Sequence, residues 1–431
     1  MRFHRLSCLL VLLALVVPAA LRGAGASREE VTAPVGLLGL LVRKGVVTQA
    51  EAESLQAEWQ REQRAAPAAA VVPRGRSTER LAVGLRMQAQ AVALGSEQAG
   101  APTRPADAQH MFLRRVYLTV QAQLGADWMA LMTYDFASGG YDDAIVQWRA
   151  RPDLTFDFGL RKVSTAYEER ASSGDLRGLE RSGVTRYFVE PNNGRRLGAA
   201  SYRLGVFADA RRALGGDVAL VYGAAVTNPE RSENFTIAAA AGDGGTNRPA
   251  AWGHLGLTGA WRRGPGRWAA GITGGWLPDQ GGRLAGSGAA GQDLGLFTAY
   301  ADFTAGRVSF LGEYLTARVA QGRVAGGAAE PAGFFLQPAL RFAAAWEAVL
   351  RFEHLDTDGR GVTLPDVVRS APATSLMNSF TGWYLGTNWY LRGNDLKYQL
   401  GLVYGKTEDA VGGGAAAART RGVRSQLQVQ F

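Results

Sequence analysis

Side chains able to do chemistry are concentrated in one stretch of this sequence, Arg161 to Arg196. Eight bases (Arg161, Lys162, Arg170, Arg177, Arg181, Arg186, Arg195 and Arg196) are set among five acids, Glu168, Glu169, Asp175, Glu180 and Glu190. Elsewhere the reactive types are sparse. His110, His254 and His354 lie in separate segments with no metal-ligand spacing, and there is no G-x-S-x-G elbow or P-loop. Catalysis is therefore not supported, and no cofactor or metal site is implied. A charged run of this kind acts electrostatically. Folded into a narrow watery passage, its arginines and lysine would favour anions, because low-dielectric walls concentrate the field of each charge. Left on a surface, the same residues would form ordinary ion pairs of small consequence.

The elements around this stretch read as strands. From Val423 the chain alternates strictly, with Val423, Leu427, Val429 and Phe431 on one face and Arg424, Gln426, Gln428 and Gln430 on the other. Period two marks a strand with one apolar and one polar face. About sixteen such segments follow one another between Arg80 and Phe431. Short turns (Gly125–Asp127, Ala305-Gly306, Arg392–Asp395) alternate with long Gly-, Ser- and Pro-rich connections near 95–110, 163–195, 228–251, 278–292, 319–332, 356–378 and 406–421. A soluble sandwich would explain any one strand. The alternation of short and long connections predicts a closed transmembrane antiparallel β-barrel, its apolar face toward lipid and its polar face toward water. On this register Val116, Leu118, Val120, Trp148, Leu400, Leu402, Leu427 and Val429 point outward. Arg86, Arg115, Arg149, Arg351, Lys397 and Arg424 point into the lumen. Phe431 falls at the interfacial girdle and is the expected recognition signal for the barrel-assembly machinery.

Bulk properties agree with this class. The 431 residues include 56 glycines and 9% aromatics, with a mean hydropathy of -0.08, and a barrel hides its hydrophobicity by alternation. Residues 1–26 have the form of a signal peptide: Arg2 and Arg5, the apolar run Leu9–Ala20, and the small residues Ala24-Gly25-Ala26. Cys8, the only cysteine, lies in that leader, so the mature chain is expected to have no thiol chemistry. The formal charge of +9 is carried almost wholly by arginine. It suits a lumen that draws anions, and no nucleic-acid module is present. Residues 27–64 read as a periplasmic helical segment: Leu37–Val42 are apolar, Lys44-Gly45 stops the first helix, and Thr48–Glu51 is a capping box for the second. An Ala/Pro-rich linker, 65–79, leads to the barrel at 80–431.

Several fragments resemble the phosphate-selective porin O/P family. They include F-L-R-R-V-Y-L, Y-D-F-A and Y-D-D-A-I-V-Q-W-R within Met111–Arg149, then G-L-R-K-V, Y-E-E and L-E-R-S. N-N-G-R-R-L-G at Asn192–Gly198, Leu350–Asp356 and G-T-N-W-Y-L at Gly386–Leu391 add to them. The resemblance implies a sixteen-stranded, homotrimeric porin in the outer-membrane lipid, with an inward loop bearing basic residues. The chain departs from the family around Lys162, where Val163–Glu168 replaces the usual Pro-Phe-Ser-Leu-Glu, and it has only four lysines. The expected function is passive diffusion of small hydrophilic solutes with a weak preference for anions. The alternative is a structural barrel whose N-terminal helices tether the envelope.

Overall fold

The structure, a computed structural model, describes residues 48, 50, 80–99, 107–190, 195–229, 248–261, 266–278, 293–364, 373, 375–414 and 416–431. The chain divides into two units, Met1–Ala68 and Ala69–Phe431, and the second carries the fold described below. The expected signal peptide, helical segment and linker lie outside the described residues, apart from Thr48 and Ala50.

Sixteen antiparallel strands close into one barrel. In chain order they are β1 (Arg80–Gln98), β2 (Ala108–Leu124), β3 (Trp128–Asp135), β4 (Gly140–Arg151), β5 (Leu154–Lys162), β6 (Tyr202–Gly215), β7 (Val218–Thr227) and β8 (Ala250–Ala260). There follow β9 (Gly266–Leu277), β10 (Leu294–Ala305), β11 (Val308–Val319), β12 (Ala332–Ala343), β13 (Trp346–Asp356), β14 (Met377–Arg392), β15 (Leu396–Ala410) and β16 (Ala417–Gln430). Each strand pairs with its chain neighbours, and β16 pairs with β1 in the register Arg86↔Gln430 to Gln98↔Ala418. Closure leaves no open edge, which is what lets strands sit in hydrocarbon.

The outward face is apolar, with Leu400, Leu402 and Leu427 exposed beside Val146 and Trp148. Aromatic residues gather toward its two ends. Trp128 stacks on Trp148, and Trp346 on Trp389, near the short turns; Tyr134, Phe136 and Tyr141 cluster at the opposite end. The two-residue turn between β10 and β11 is set by Gly306, whose φ of 58° is a left-handed conformation suited to glycine.

Two connections are shorter than the sequence suggests. The 95–110 segment contracts to 99–107 and the 406–421 segment to 411–416, because β1, β15 and β16 keep pairing beyond the apolar belt. Their last outward residues are charged, as in the Arg421–Glu97 pair. The alternation of apolar and polar residues ends there, but the backbone ladder does not. In the other direction, β6 begins at Tyr202 rather than near 197. Leu197 and Ala199 instead donate their backbone N–H groups to Tyr187 and Phe188 (2.7 and 2.9 Å), within the connection that precedes β6.

Candidate functional site: a lumen divided by an inward loop

The described residues of the connection from β5 to β6, 163–190 and 195–201, run inside the barrel. They carry two short helices, α1 (Tyr167–Arg170) and α2 (Gly183–Val189). Acids on the barrel wall hold the start of each. Glu313 of β11 accepts from the N–H groups of Tyr167 (2.6 Å) and Glu168 (3.0 Å). Glu353 of β13 accepts from Gly183 and Val184. Such N–H groups have no partner within their own helix, so a carboxylate completes them. Ser182 adds an N-cap by accepting from Thr185 N at 2.9 Å. Beyond the caps, α2 buries Val184, Tyr187, Phe188 and Val189 against Leu315, Leu355, Met377 and Phe380. Burial of each large side chain stabilises by about 1.5–3 kcal/mol.

The tip of the loop is gripped by amides. Gln88 donates to Ser173 O (3.1 Å), Gln428 to Gly174 O (3.0 Å), and Gln399 and Asn388 to Arg177 O (3.1 and 3.0 Å). Lys397, with no exposed surface, donates to Gly174 O (2.8 Å) and Leu176 O (2.9 Å). The amides also bond to one another along Gln90, Gln426, Gln399 and Asn388 at 2.8–2.9 Å. Loop and wall are thereby joined across β14, β15, β16 and β1. Here the side chains of loop and wall bury one another.

Buried ion clusters fix the returning arm. Glu180, whose side chain is 1% exposed, takes Arg114 bidentately (2.7 and 3.3 Å), Arg186 at 3.2 Å and the amide of Gln90 at 3.0 Å. Burial pushes the Glu180 carboxyl up, but Arg114, Arg186 and Arg115 outweigh it and hold the group well below the usual carboxylate range. Glu169 is the second hub: Arg181 lies 2.8 Å away and Lys162 3.4 Å. Burial opposes its ionisation, and these two cations lower it overall.

The open space lies on the other side. A cavity of about 800 Å³ is bounded by β1–β6, by Asp395 with Gln430 and Phe431, and by one edge of the loop. Two β-bulges shape its wall. Opposite Gln88 and Ala89, β2 carries an extra residue, Arg114, so that both Arg114 and Arg115 point inward while Leu113 stays exposed outside. Opposite Thr133 and Tyr134, β4 carries an extra Asp142; Asp142 and Asp143 both line the cavity and Tyr141 faces out. The charged residues that β1 and β2 contribute to this wall are thus bases (Arg86, Arg114, Arg115), and those of β3 and β4 acids (Asp135, Asp142, Asp143). Arg86 donates to Gln430 (2.9 Å) and Ser173 (3.1 Å), and Arg115 to Gln88 (2.7 Å).

Of the eight bases singled out in the sequence, Arg161, Lys162, Arg170 and Arg181 line this cavity. Arg161 pairs with Asp157 and Asp209. Arg177 turns toward Glu347 (3.5 Å) and Thr304 at the short-turn end. Arg186 and Arg196 converge on Glu190, and the Arg195 carbonyl accepts from the buried Arg360. Of the expected lumen residues, Arg86 and Arg115 face the cavity, whereas Arg351, Lys397 and Arg424 are buried among loop and wall groups. Arg149 shares the face of Gln147 at the exposed short-turn end of β4. Arg114, the two aspartates and the wall acids were not singled out. The doublets R-R and D-D, which interrupt strict alternation, are the signal that marks two of the three.

A comparison with curated proteins by sequence gave no match. Among solved structures, the chain is similar to the anion-selective porin from Comamonas acidovorans (15% identity, TM-score 0.53, covering 82% of this chain and 99% of that one). It is similar also to the outer-membrane channel DcaP of Acinetobacter baumannii (12%, 0.52, 83% and 99%) and to OprB of Pseudomonas putida (11%, 0.50, 81% and 94%). At these identities the likeness is one of fold. The model of the phosphate-selective porins O and P matches residues 83–431, from within β1 to the last residue. The chain belongs to that family and is an outer-membrane porin.

Proposed function

We propose that the barrel passes small hydrophilic solutes by diffusion along the β1–β6 side, with a modest preference for anions. The carrying observation is the excess of cations where loop and wall meet: Arg114, Arg115, Arg186 and Arg196 gather around two carboxylates, Glu180 and Glu190. Arg86 stands beside them with no carboxylate within ion-pair distance among the described residues, and the hydroxyls of Ser172 and Ser173 line the same space. A hydrated anion would exchange water for guanidinium and hydroxyl donors, at a cost lowered by a field already directed at it. The acids of β3 and β4 keep the preference modest. The anion selectivity of the Comamonas porin shows that this fold accommodates such a bias.

In this reading the long connections face the exterior, the short turns and chain ends face the periplasm, and three copies assemble through their outward faces. The test is the reversal potential in a salt gradient across a planar bilayer. Wild type should show a small anion preference, and Arg86→Gln with Arg115→Gln should move the potential toward cations. An unchanged potential would remove these residues from the selectivity assignment.

A further inference from the structure

The two bulges have a joint consequence. Each turns a like-charged doublet inward, Arg114-Arg115 on β2 and Asp142-Asp143 on β4, and both doublets border one cavity. The doublets lie at similar heights on the wall. Register matches Arg86 to Tyr117, Tyr117 to Asp135, and Thr133 to both Thr119 and Asp143. Two strand spacings, about 10 Å of wall, separate the backbones of β2 and β4. Between the doublets sits Tyr117, which hydrogen-bonds to Asp142. Neither doublet neutralises the other by direct contact: no ion pair joins them among the described residues, Arg114 is engaged by Glu180 and Arg115 by Gln88. Water in this cavity therefore has a basic strip on β1–β2 and an acidic strip on β3–β4, with Arg161 and Lys162 of β5 beyond the acids.

We infer that the route is matched to small dipolar ions, solutes that carry an ammonium together with a carboxylate or phosphate. This rests on the diffusion reading above and names a substrate class for it. A simple anion gains from the arginine strip and is repelled by the aspartates; a simple cation meets the reverse. A zwitterion that turns its acid end to β1–β2 and its ammonium to β3–β4 gains from both strips. A neutral solute of the same size gains from neither. The low-dielectric barrel wall strengthens both attractions relative to bulk water. A bulge is a local device for re-aiming side chains, and two of them producing opposite doublets on one wall is the arrangement that dipole alignment needs.

Two isomers provide the probe. β-Alanine is a zwitterion at neutral pH and 3-hydroxypropanamide is neutral, with the same atoms and nearly the same size. In liposome swelling with the full protein, β-alanine should enter at least about twofold faster, a modest instance of electrostatic focusing. Replacing Asp142 and Asp143 by Asn should bring the two rates together while chloride conductance rises. Asp143→Asn alone, which keeps the Tyr117–Asp142 hydrogen bond, should reduce the difference in part and guards against a misfolded double variant. Equal entry of the isomers into wild-type liposomes, with normal potassium chloride conductance, would overturn the dipolar inference and leave the diffusion reading intact. Entry of neither isomer, with no conductance, would overturn both.

Discussion

The inner faces of β9–β16 and of β1–β6 are built by the same alternation, yet they meet different neighbours. On β14–β16 the inward residues include the amides Asn388, Gln399 and Gln428, and with Lys397 they bond to backbone carbonyls of the loop tip. Those on β11 and β13 include Glu313 and Glu353, which complete the N-termini of its helices. On β1–β5 the inward residues that border open space include two charged doublets, Arg114-Arg115 and Asp142-Asp143. A polar strand face alone does not fix whether it meets water. That depends on whether a neighbour offers matching groups: a loop backbone offers carbonyls and N–H groups, which amides and carboxylates satisfy, whereas a row of like charges admits only water, ions or an opposite partner. Gln88 belongs to both regions, for it donates to Ser173 of the loop and to Gln428 and accepts from Arg115.

This contrast has its strongest test at Glu180, the joint between the two regions. Glu180→Gln leaves Arg114 and Arg186 buried with their shared carboxylate gone. Breaking a buried pair in this way costs about 3–5 kcal/mol. Denaturant unfolding from detergent micelles should show that loss, and the reversal potential should move toward anions because the excess of guanidinium grows. The double variant Arg114→Gln with Glu180→Gln should recover part of the stability. A cost below about 1 kcal/mol would place the cluster in the range of exposed ion pairs and dissolve the distinction between joint and surface.

Acid sharpens the contrast with a smaller effect. Glu180 and Glu169 both have folded pKa values below their unfolded ones. A depressed carboxylate contributes stability that is present above its unfolded value, about 4.3, and is lost as pH falls through the folded value. The contribution of these two carboxylates to loop anchoring should therefore be constant between pH 7 and about 5, and fall only below the unfolded value. Protease cleavage within 163–201, followed across that range, checks the sign. Cleavage that rises already between pH 7 and 5 would contradict it.

Much of this was legible beforehand. Alternation placed all sixteen strands, because lipid on one side and polar groups on the other impose period two whatever the lumen contains. The density of charge in Arg161–Arg196 marked the connection that enters the lumen. The particular role of each charge was not legible. Gln426 and Gln428 read as residues facing water, but they are covered by the loop, whose path depends on contacts hundreds of residues away. Lys397 read as a lumen cation and is instead a donor to Gly174 and Leu176. Arg114 and Asp142 were hidden for a different reason. A bulge shifts a strand's phase by one residue, and period-two reading assumes constant phase.

The smallest effect is expected four residues from one of the cavity's own arginines. Arg177 and Arg181 are indistinguishable in the sequence, two bases on one charged loop. Arg181 is buried on the cavity side, 2.8 Å from Glu169, and donates to the carbonyls of Glu168, Glu169 and Ala171. Arg177 lies on the side of β10–β14, 21% exposed, with Glu347 at 3.5 Å and Thr304 at 3.1 Å. Arg177→Ala should cost less than Glu180→Gln, since Glu347 keeps Asn388 and Tyr390 as hydrogen-bond donors, and the interposed loop should keep the reversal potential unchanged. Arg181→Ala should instead leave Glu169 with Lys162 alone, shift the potential toward cations and raise conductance as the loop edge loosens. Equal shifts from both variants would mean that water reaches the β10–β14 wall, and the lumen would then conduct on both sides of the loop.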